Sequence, residues 1–390
     1  MSQAKPKVMK TIWEDLTIFR MPEDSDPNLQ GWDGADLYIL EHLNERGFSL
    51  KPDISINICI LNDAHGALSS ALRYYKRDVI IDSYCGTKSF ERNQSIHEDA
   101  ANTANIIDIS DLNSDLRYDI VLIKVPKSHS LLKHQLAKLA LCLKLDSIVI
   151  GAGLTRHIHK NTIKIFETSI GPTPTSLAKY KSRLLLPNHV SNEAGKQPTQ
   201  NDSKIPSIWS YEGLQIANYP GVFSENQLDQ GSRVLLECLK GSLKAGVVID
   251  LGCGNGVLSA FYSKQLQSHG KTSQVYAIDD SKQAIKSASH TFMLNKIENT
   301  TCILGDGLKE QPSHSADVIL LNPPFHEGHG QNFNMATKML KDARRVLKED
   351  GVLWLVGNRH LKYHQRLKPY FSKMKQVGPH PKFVVFKCSK

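Results

Sequence analysis

Two strand ends occur twice in this sequence, in the same order and at nearly the same separation. Residues 61–69, LNDAHGALS, match residues 251–259, LGCGNGVLS, at an offset of 190 positions (251 − 61). Residues 119–126, DIVLIKVP, match residues 317–324, DVILLNPP, at an offset of 198 positions (317 − 119). Each match joins an apolar run typical of a buried strand to the loop beside it. Because order and spacing are both preserved, the sequence predicts a duplicated domain.

The second half of the sequence alternates predicted strands with predicted helices. A glycine loop at Gly252–Gly256 opens one helix, Ser281 is a suitable N-cap for a helix over 282–295, and a helix over about 335–347 is ended by Gly351. This alternation predicts a doubly wound α/β fold with a mainly parallel sheet, which the first half repeats. Apolar or β-branched runs predict strands at 247–251, 274–279, 302–304, 317–321, 352–356 and 382–387.

A polar stretch over residues 187–206 separates the two copies. Its Asn, Gln, Ser, Gly and Pro residues favour turns and offer few anchors for a core. We therefore predict a degenerate domain over 1–187, a linker over 188–207 and a second domain over 208–390. A chain of 390 residues is long enough for two such domains.

Charge and composition narrow the class of protein. The formal net charge of +9 favours a polyanionic partner, because Lys and Arg gain affinity by releasing counterions from phosphates. No apolar run reaches the roughly 18 residues that span a bilayer, and the lysine-rich start is unlike a secretory signal. The seven cysteines form no C-x-x-C pair, which indicates reduced thiols in a cytoplasmic protein. Neither a metal site nor a membrane partner is expected.

The glycine loop and three acidic residues predict the ligand. Glycines without a Cβ allow a tight turn and close approach of a ligand, and their G-x-G-x-G spacing differs from that of NAD enzymes. Asp250 in front of the loop suits an ammonium group. Asp279 ends the next strand, where it can bind ribose hydroxyls, and Asp306 ends the third, where it can accept from an adenine amine. An amino-acid end, a ribose and an adenine together describe S-adenosylmethionine.

The sequence Asn322-Pro323-Pro324-Phe325 follows the fourth predicted strand of this half. Two prolines make a stiff, extended turn, and proline offers carbonyl acceptors without an N–H donor. One amide, backbone carbonyls and one aromatic ring in a set geometry are suited to holding a planar group that carries an NH2. The element alone leaves several such substrates open.

These motifs resemble class I S-adenosylmethionine-dependent methyltransferases over about residues 215–390. The N-P-P-[FY] element is shared by enzymes that methylate adenine N6, cytosine N4, glutamine side-chain amides or guanine N2. By this resemblance the catalytic residues are Asn322, Pro323, Pro324 and Phe325. The residues expected to contact the cofactor are Phe223, Asp250, Gly252, Gly254, Gly256, Asp279, Asp306 and Asn322.

Further motifs resemble the bacterial ribosomal guanine-N2 methyltransferases, which carry a degenerate N-terminal copy of the domain. They include 221–224, GVFS, and 228–229, LD, followed by Gly231. The branch that acts on large-subunit RNA is matched at 32–36, 61–68, 123–127 and 357–361. The resemblance implies methylation of a guanine N2 in 23S ribosomal RNA, as naked RNA or as a large-subunit precursor.

The differences between the copies predict different roles for them. Asn62 and Ala64 replace two of the three glycines, which removes room for a ligand beside the backbone. Lys124 and Lys127 stand where the second copy has its amide and its aromatic ring. We therefore expect the first copy to bind RNA and to perform no chemistry. The basic residues expected to meet RNA are Lys124, Lys127, Lys133, Arg156 and Lys160, with Arg359 in the second copy.

Three alternative functions remain open at this point. A methyltransferase for guanine N2 of 16S rRNA has similar motifs. A protein glutamine methyltransferase shares N-P-P-[FY], although it needs neither the basic charge nor the duplicated domain. A non-catalytic RNA-binding assembly factor would have a vestigial core, against which the intact glycines argue. His326 and His329 lie in a polar loop and are interpreted as exposed residues, not as general bases or metal ligands.

Overall fold

Each half of the chain folds around its own α/β sheet in a computed structural model. The chain divides into the units Met1–Asp202 and Ser203–Lys390. Most of the predicted linker, residues 189–204, lies outside the described residues, and its last residue, Ser207, begins a strand. The structure describes residues 7–23, 29–50, 56–97, 104–188, 205–323 and 330–390.

The first unit has a mixed sheet of six strands and a separate hairpin. The strands are β1 (Lys7–Lys10), β2 (Asp15–Ile18), β3 (Asn57–Leu61), β4 (Lys76–Ile80), β5 (Ala104–Ile106), β6 (Tyr118–Lys124), β7 (Leu143–Leu154) and β8 (Ser182–Leu185). The helices are α1 (Gly34–Glu45), α2 (Ala67–Ala71), α3 (Tyr84–Ile96), α4 (His129–Ala140) and α5 (Lys160–Ser169). The sheet order is β5-β4-β3-β6-β7-β8, and only β8 pairs antiparallel within it.

The second unit repeats this plan with one more strand in the sheet. The strands are β9 (Ser207–Tyr211), β10 (Leu214–Asn218), β11 (Gly246–Leu251), β12 (Ser273–Asp279), β13 (Thr300–Leu304), β14 (Ala316–Leu321), β15 (Leu347–Asn358), β16 (Lys373–Val377) and β17 (Phe383–Ser389). The helices are α6 (Gln230–Leu239), α7 (Val257–Ser268), α8 (Lys282–Leu294), α9 (Gly330–Val346) and α10 (Tyr363–Leu367). The sheet order is β13-β12-β11-β14-β15-β17-β16, and β9 and β10 form a separate hairpin.

The predicted doubly wound fold is therefore confirmed in both halves. The strands predicted in the second half are all present, but α6, α10, β16 and the hairpin were not predicted. The helix predicted over about 335–347 is α9, which begins earlier, at Gly330, and ends within one residue of the predicted end, but the prediction that Gly351 ends it was wrong. Helix α9 stops at Val346, and Gly351 lies inside β15, because the chain passes directly from helix to strand.

Alternating side chains on the central strands explain why the sheet is covered on both faces. Val318 and Leu320 pack into one hydrophobic cluster, whereas Ile319 and Leu321 pack into another. This two-residue period is that of a strand, and every residue of β14 is buried. Full burial of a Leu, Ile or Val side chain contributes about 1.5–3 kcal/mol. These strands therefore form a rigid base for the loops that follow them.

Equivalent strands pair in the same register in the two units. Leu61 pairs with Ile123 in the first unit, and Leu251 pairs with Leu321 in the second. An aspartate near the start of the partner strand accepts from the first residues of β3 and β11. Asp119 Oδ2 lies 2.8 Å from the nitrogen of Asn57, and Asp317 Oδ2 lies 2.8 Å from that of Val247. Repetition of such details supports duplication of a single ancestral domain.

Candidate active site

The carboxyl ends of β11, β12 and β14 bring the predicted site residues of the second unit together. Strand β11 lies between β12 and β14, and Leu251 pairs with both Ile278 and Leu321. Gly252, Asp279 and Asn322 therefore occupy neighbouring strand ends. Ligands of open α/β sheets bind where the chain leaves a central strand toward opposite edges of the sheet. The carboxyl ends of the adjacent strands β11 and β14 are such a point.

The three loop glycines have left-handed backbone angles, but their surroundings differ. The φ angles are 73° at Gly252, 53° at Gly254 and 75° at Gly256. A Cβ on Gly256 would lie 3.0 Å from the Cβ of Ala288, so this glycine allows α7 and α8 to pack closely. A Cβ on Gly254 would meet nothing within 4 Å among the described residues. Gly254 thus borders open space of the kind that a ligand needs beside a backbone.

Asp279 holds the glycine loop against the end of β12. Its Oδ2 accepts from the backbone nitrogen of Gly254 at 2.9 Å, and its Oδ1 accepts from that of Ser281 at 3.0 Å. A carboxylate can accept up to about four hydrogen bonds. This position therefore suits the expected contact with ribose hydroxyls.

Asp250 is fully buried and braces the start of α7. Its Oδ2 accepts from the hydroxyl of Ser259 at 2.7 Å and from the backbone nitrogen of Ser259 at 3.1 Å. Its Oδ1 has no hydrogen-bond partner among the described residues. Burial raises the pKa of this carboxyl to about 7, although the bonds from Ser259 oppose the shift. Asp250 is thus a structural support, and its expected contact with an ammonium group stays a prediction that concerns Oδ1.

Asp306 follows β13 and forms an ion pair with a residue that sequence reasoning missed. Lys338 Nζ lies 2.7 Å from Asp306 Oδ2, and the carboxylate is 19% exposed. An adenine amine at this carboxylate would have to share it with Lys338. The predicted contact with adenine remains a prediction.

The amide of Asn322 is held by two side chains of α6 and its N-cap. Asn322 Nδ2 donates to Asp229 Oδ2 at 3.2 Å and to Ser232 Oγ at 2.9 Å. Its Oδ1 is buried and has no hydrogen-bond partner among the residues that the structure describes. Pro323 is buried beside it, whereas Pro324, Phe325, His326 and His329 lie outside the described residues. The site therefore contains one oriented amide, and none of the described residues uses its acceptor.

Sequence reasoning did not identify Asp229 and Ser232 as partners of Asn322. The signal that was available is the run Leu228-Asp229 before Gly231 and Ser232, because an aspartate before an apolar helical pattern is typical of an N-cap. Asp229 is indeed the N-cap of α6 and accepts from the backbone nitrogen of Ser232 at 2.9 Å. The sequence was sufficient to predict where this helix begins, but not that its start contacts Asn322 at the end of β14.

Phe223, expected at the cofactor, lines a cavity of about 1390 Å³ in the second unit. The side chain is 64% exposed. Asp229, Arg233 and His380 also line this cavity. Asp229 also contacts Asn322, but neither Asn322 nor the glycine loop lines this cavity, so the expected contact of Phe223 with the cofactor stays a prediction.

Lys124, expected to contact RNA, is placed in the interior of the first unit. Its Nζ lies 2.8 Å from Asp33 Oδ1 and 2.6 Å from Asp36 Oδ2, and the side chain is 14% exposed. Burial alone would lower the pKa of this ammonium, but Asp36 and Asp33 raise it above its ordinary value. The expectation for Lys124 is therefore corrected. Its charge is neutralised inside the protein, because helix α1 brings two carboxylates to the end of β6.

Other basic residues of the first unit do lie on its surface. Lys127 and Arg156 are exposed near His157, whose pKa is lowered by partial burial and then by the charges of Arg156 and Lys127. Lys133 on α4 and Lys160 at the start of α5 are exposed as well. We call Lys127, Lys133, Arg156 and Lys160 the basic rim.

Arg359, the residue of the second unit that was expected to meet RNA, contacts its own backbone. Its guanidinium donates to the carbonyl oxygen of His380 at 2.8 Å. This bond holds the arginine against the loop between β16 and β17, although the side chain is exposed.

Within the described ranges, no group of three or more His, Cys, Asp or Glu side chains has an arrangement that could hold a metal ion. Among the same residues, no helix is long and apolar enough to cross a membrane.

Fold and site together define a methyltransferase with the class I architecture. Residues 213–387 match the family model described as the methyltransferase small domain, and residues 6–193 match the RLMG N-terminal domain. A 16S rRNA N2 methyltransferase of T. thermophilus, solved with AdoMet and guanosine, has the same fold. Its TM-score is 0.73 at 19% identity, and the match covers 100% of this chain and 98% of that one.

Proteins that are similar in sequence identify the family more narrowly than the fold does. A ribosomal RNA large subunit methyltransferase G of Streptomyces avermitilis is 34% identical over 98% of this chain and 99% of its own length. One from Pseudoalteromonas translucida is 36% identical over 96% of both chains. The chain belongs to the ribosomal RNA large subunit methyltransferase G family, which confirms the resemblance found in its motifs.

Proposed function

We propose that this enzyme transfers a methyl group from S-adenosylmethionine to the exocyclic N2 of a specific guanine in 23S rRNA. The products are N2-methylguanine and S-adenosylhomocysteine, and the reaction takes place in the cytoplasm. One observation carries the chemical part of the proposal. The buried Oδ1 of Asn322 is an oriented acceptor without a partner among the described residues, and it lies at the strand end next to the glycine loop.

The proposed chemistry has to overcome the low nucleophilicity of the exocyclic amine of guanine. Its lone pair is delocalised into the ring, so the nitrogen is a poor nucleophile. Asn322 Oδ1 and the carbonyl of Pro323 would accept its two hydrogens and localise the lone pair. The bound cofactor supplies a methyl group that is already activated on a sulfonium. The new cationic nitrogen can lose its proton after transfer, so no strong general base is needed.

Positioning then supplies most of the rate. The base must first leave any stack or pair, which costs a few kcal/mol. Phe325 lies outside the described residues, and we propose from the sequence that its ring stacks on the base, worth about 1–3 kcal/mol. Pro324 would keep the turn stiff.

The cofactor is assigned to the loop at the ends of β11, β12 and β13. Gly252 and Gly254 would allow its close approach, Asp279 would bind its ribose, and Asp306 would meet its adenine. The open space beside Gly254 supports this assignment. Gly256 contributes by letting α8 pack against α7. Asp250 is kept as a cofactor contact from its place in front of the loop, and Phe223 from the resemblance alone.

The first unit is proposed to bind RNA through the basic rim, without Lys124. Four exposed cations on one unit attract phosphates by counterion release. The loop of this unit also carries side chains where the second unit has glycines. Asn62, at the position of Gly252, donates from Nδ2 to the carbonyl of Lys124 at 2.9 Å and shares two bonds with Gln135.

Nucleoside analysis tests the proposed substrate. Labelled S-adenosylmethionine is incubated with the protein and with separate, unmodified and protein-free 16S and 23S rRNA, and in a third arm with a large-subunit precursor particle. We expect label in N2-methylguanine of 23S rRNA, at one position by primer extension. Label in 16S rRNA would identify a small-subunit enzyme instead. Label on protein glutamine, or no binding of the cofactor, would refute the proposal.

A further inference from the structure

The amide of Asn322 has only one orientation that its surroundings allow. Asn322 Nδ2 carries two hydrogens, and Asp229 Oδ2 and Ser232 Oγ lie within 3.2 and 2.9 Å of it. If the amide were flipped, its oxygen would face the carboxylate of Asp229. Two acceptors would then meet without a proton between them, and the bond to Asp229 would be broken. The observed orientation leaves Oδ1 as the end of the amide that can receive a substrate donor.

Asp229 is itself fixed before any ligand binds. Its Oδ2 accepts from the backbone nitrogen of Ser232, as the N-cap of α6. A carboxylate oxygen in this position accepts hydrogen bonds and does not donate them. Gly231 leaves room for the side chain of Asp229, because a Cβ at this position would lie 3.0 Å from Asp229 Oδ2 and 3.3 Å from the ring of Phe383.

The first unit contains the same arrangement with different chemistry. Asp33 is the N-cap of α1, and Asp36 is the third residue of that helix, as Ser232 is of α6. Both hold Lys124, which occupies the strand end equivalent to that of Asn322. A lysine held in this way has no acceptor to present. The contact between the helix start and the strand end is thus a property of the duplicated fold, and the residue that is held decides what the site can do.

We propose that Asp229 and Ser232 are positioning residues for methyl transfer. They fix the amide of Asn322 so that its oxygen, and not its NH2 group, meets the substrate amine. They do not touch the substrate themselves. This inference rests on the proposed function of Asn322.

The test compares substitutions at Ser232 and Gly231. Ser232→Ala removes one acceptor of Asn322 Nδ2, and Ser232→Thr retains the hydroxyl. Gly231→Ala crowds Asp229 from the helix side while it raises helix propensity. Ser268→Ala is the matched control, since that hydroxyl donates to the carbonyl of Gln265 at 2.8 Å on the exposed end of α7. For each variant we would measure kcat on rRNA, the Kd of S-adenosylmethionine by calorimetry and the midpoint of thermal unfolding.

For Ser232→Ala we expect kcat to fall about tenfold, as for the removal of one hydrogen bond, with the Kd of the cofactor within about twofold of wild type. Ser232→Thr should recover most of that activity. Gly231→Ala should lower kcat without lowering the thermal midpoint, a combination that a merely structural role would not give. The control should match wild type.

An unchanged kcat in Ser232→Ala would overturn the inference. So would a decrease in rate that Thr does not recover, or one that follows the thermal midpoint or the cofactor Kd. Failure of the proposed function would look different. The wild-type protein would then leave 23S rRNA unmodified, and the same variants would be compared on whichever amine substrate it does methylate.

Discussion

The backbone nitrogen of Gly254 donates to Asp279 Oδ2 over 2.9 Å, and this bond joins the glycine loop to the neighbouring strand. The other oxygen of the same carboxylate accepts a hydrogen bond from the backbone nitrogen of Ser281, just before α8. One side chain therefore fixes the loop and the start of a helix. The shape of the proposed cofactor site therefore depends on Asp279.

Replacement of Asp279 should weaken cofactor binding. Asp279→Ala removes a charged acceptor from the loop and from the proposed ribose contact. Hydrogen bonds to charged groups contribute about 1.5–3 kcal/mol, so the Kd of S-adenosylmethionine should rise at least about tenfold by calorimetry. Asp350→Ala is the control, because that carboxylate is 77% exposed in an ion pair with Lys244. Equal affinity in both variants would contradict the assignment.

Replacement of Asn322 should separate chemistry from cofactor binding. Asn322→Ala removes the oriented amide acceptor at the strand end, so methyl transfer should fall at least about a hundredfold, as for other groups that stabilise developing charge. Cofactor affinity by calorimetry should persist, since the glycine loop and Asp279 are untouched. A variant with full activity would refute the mechanism.

Charge reversal on the basic rim should weaken RNA binding in a salt-dependent way. The double variant Lys127→Glu, Arg156→Glu is expected to lower rRNA affinity and to reduce the slope of log K against log salt by about 1 for each phosphate that is no longer neutralised. Filter binding at several salt concentrations measures both quantities. Lys76→Glu is the control, because Lys76 is exposed at the opposite, amino end of β4. Identical slopes for the two variants would show that RNA lies elsewhere.

Removal of the Lys124 ammonium should destabilise the first unit. Lys124→Met leaves Asp33 and Asp36 without their counter-ion, and breaking a buried pair on one side costs about 3–5 kcal/mol. The urea midpoint of this unit should fall, as read by hydrogen exchange of peptides from β6. Lys127→Met, an exposed lysine on the same rim, should have little effect. Equal stability of the two variants would mean that the buried cluster contributes little.

The pH dependence of the second unit should reflect Asp250. Burial raises the pKa of this carboxyl to about 7 from its ordinary value of 3.8. Between these values the folded state holds a proton that the unfolded chain has released. The contribution to stability is therefore full below pH about 4 and disappears as the pH rises to about 7, by at most about 1.4 kcal/mol per pH unit.

Asp250→Asn should remove that slope, since the amide does not titrate. Urea midpoints at about pH 5 and pH 8, read by hydrogen exchange of peptides from β11, measure it. Asp350→Asn should leave the slope as in wild type, because Lys244 lowers the pKa of that exposed carboxyl. A wild-type slope in Asp250→Asn would assign the pH dependence to other groups.

The sequence by itself determined the fold class, the duplication and the strand ends that carry the glycine loop and Asn322. Those features are local, because an apolar run predicts a buried strand and a glycine permits a tight turn from only a few neighbouring residues. The tertiary structure decided which side chains meet. Asp229 and Ser232 contact Asn322 from 93 and 90 positions away, and Asp33 and Asp36 reach Lys124 from 91 and 88. A lysine at a strand end is predicted to be exposed by local pattern. Only the packing of α1 against the sheet shows that Lys124 is largely buried and ion-paired.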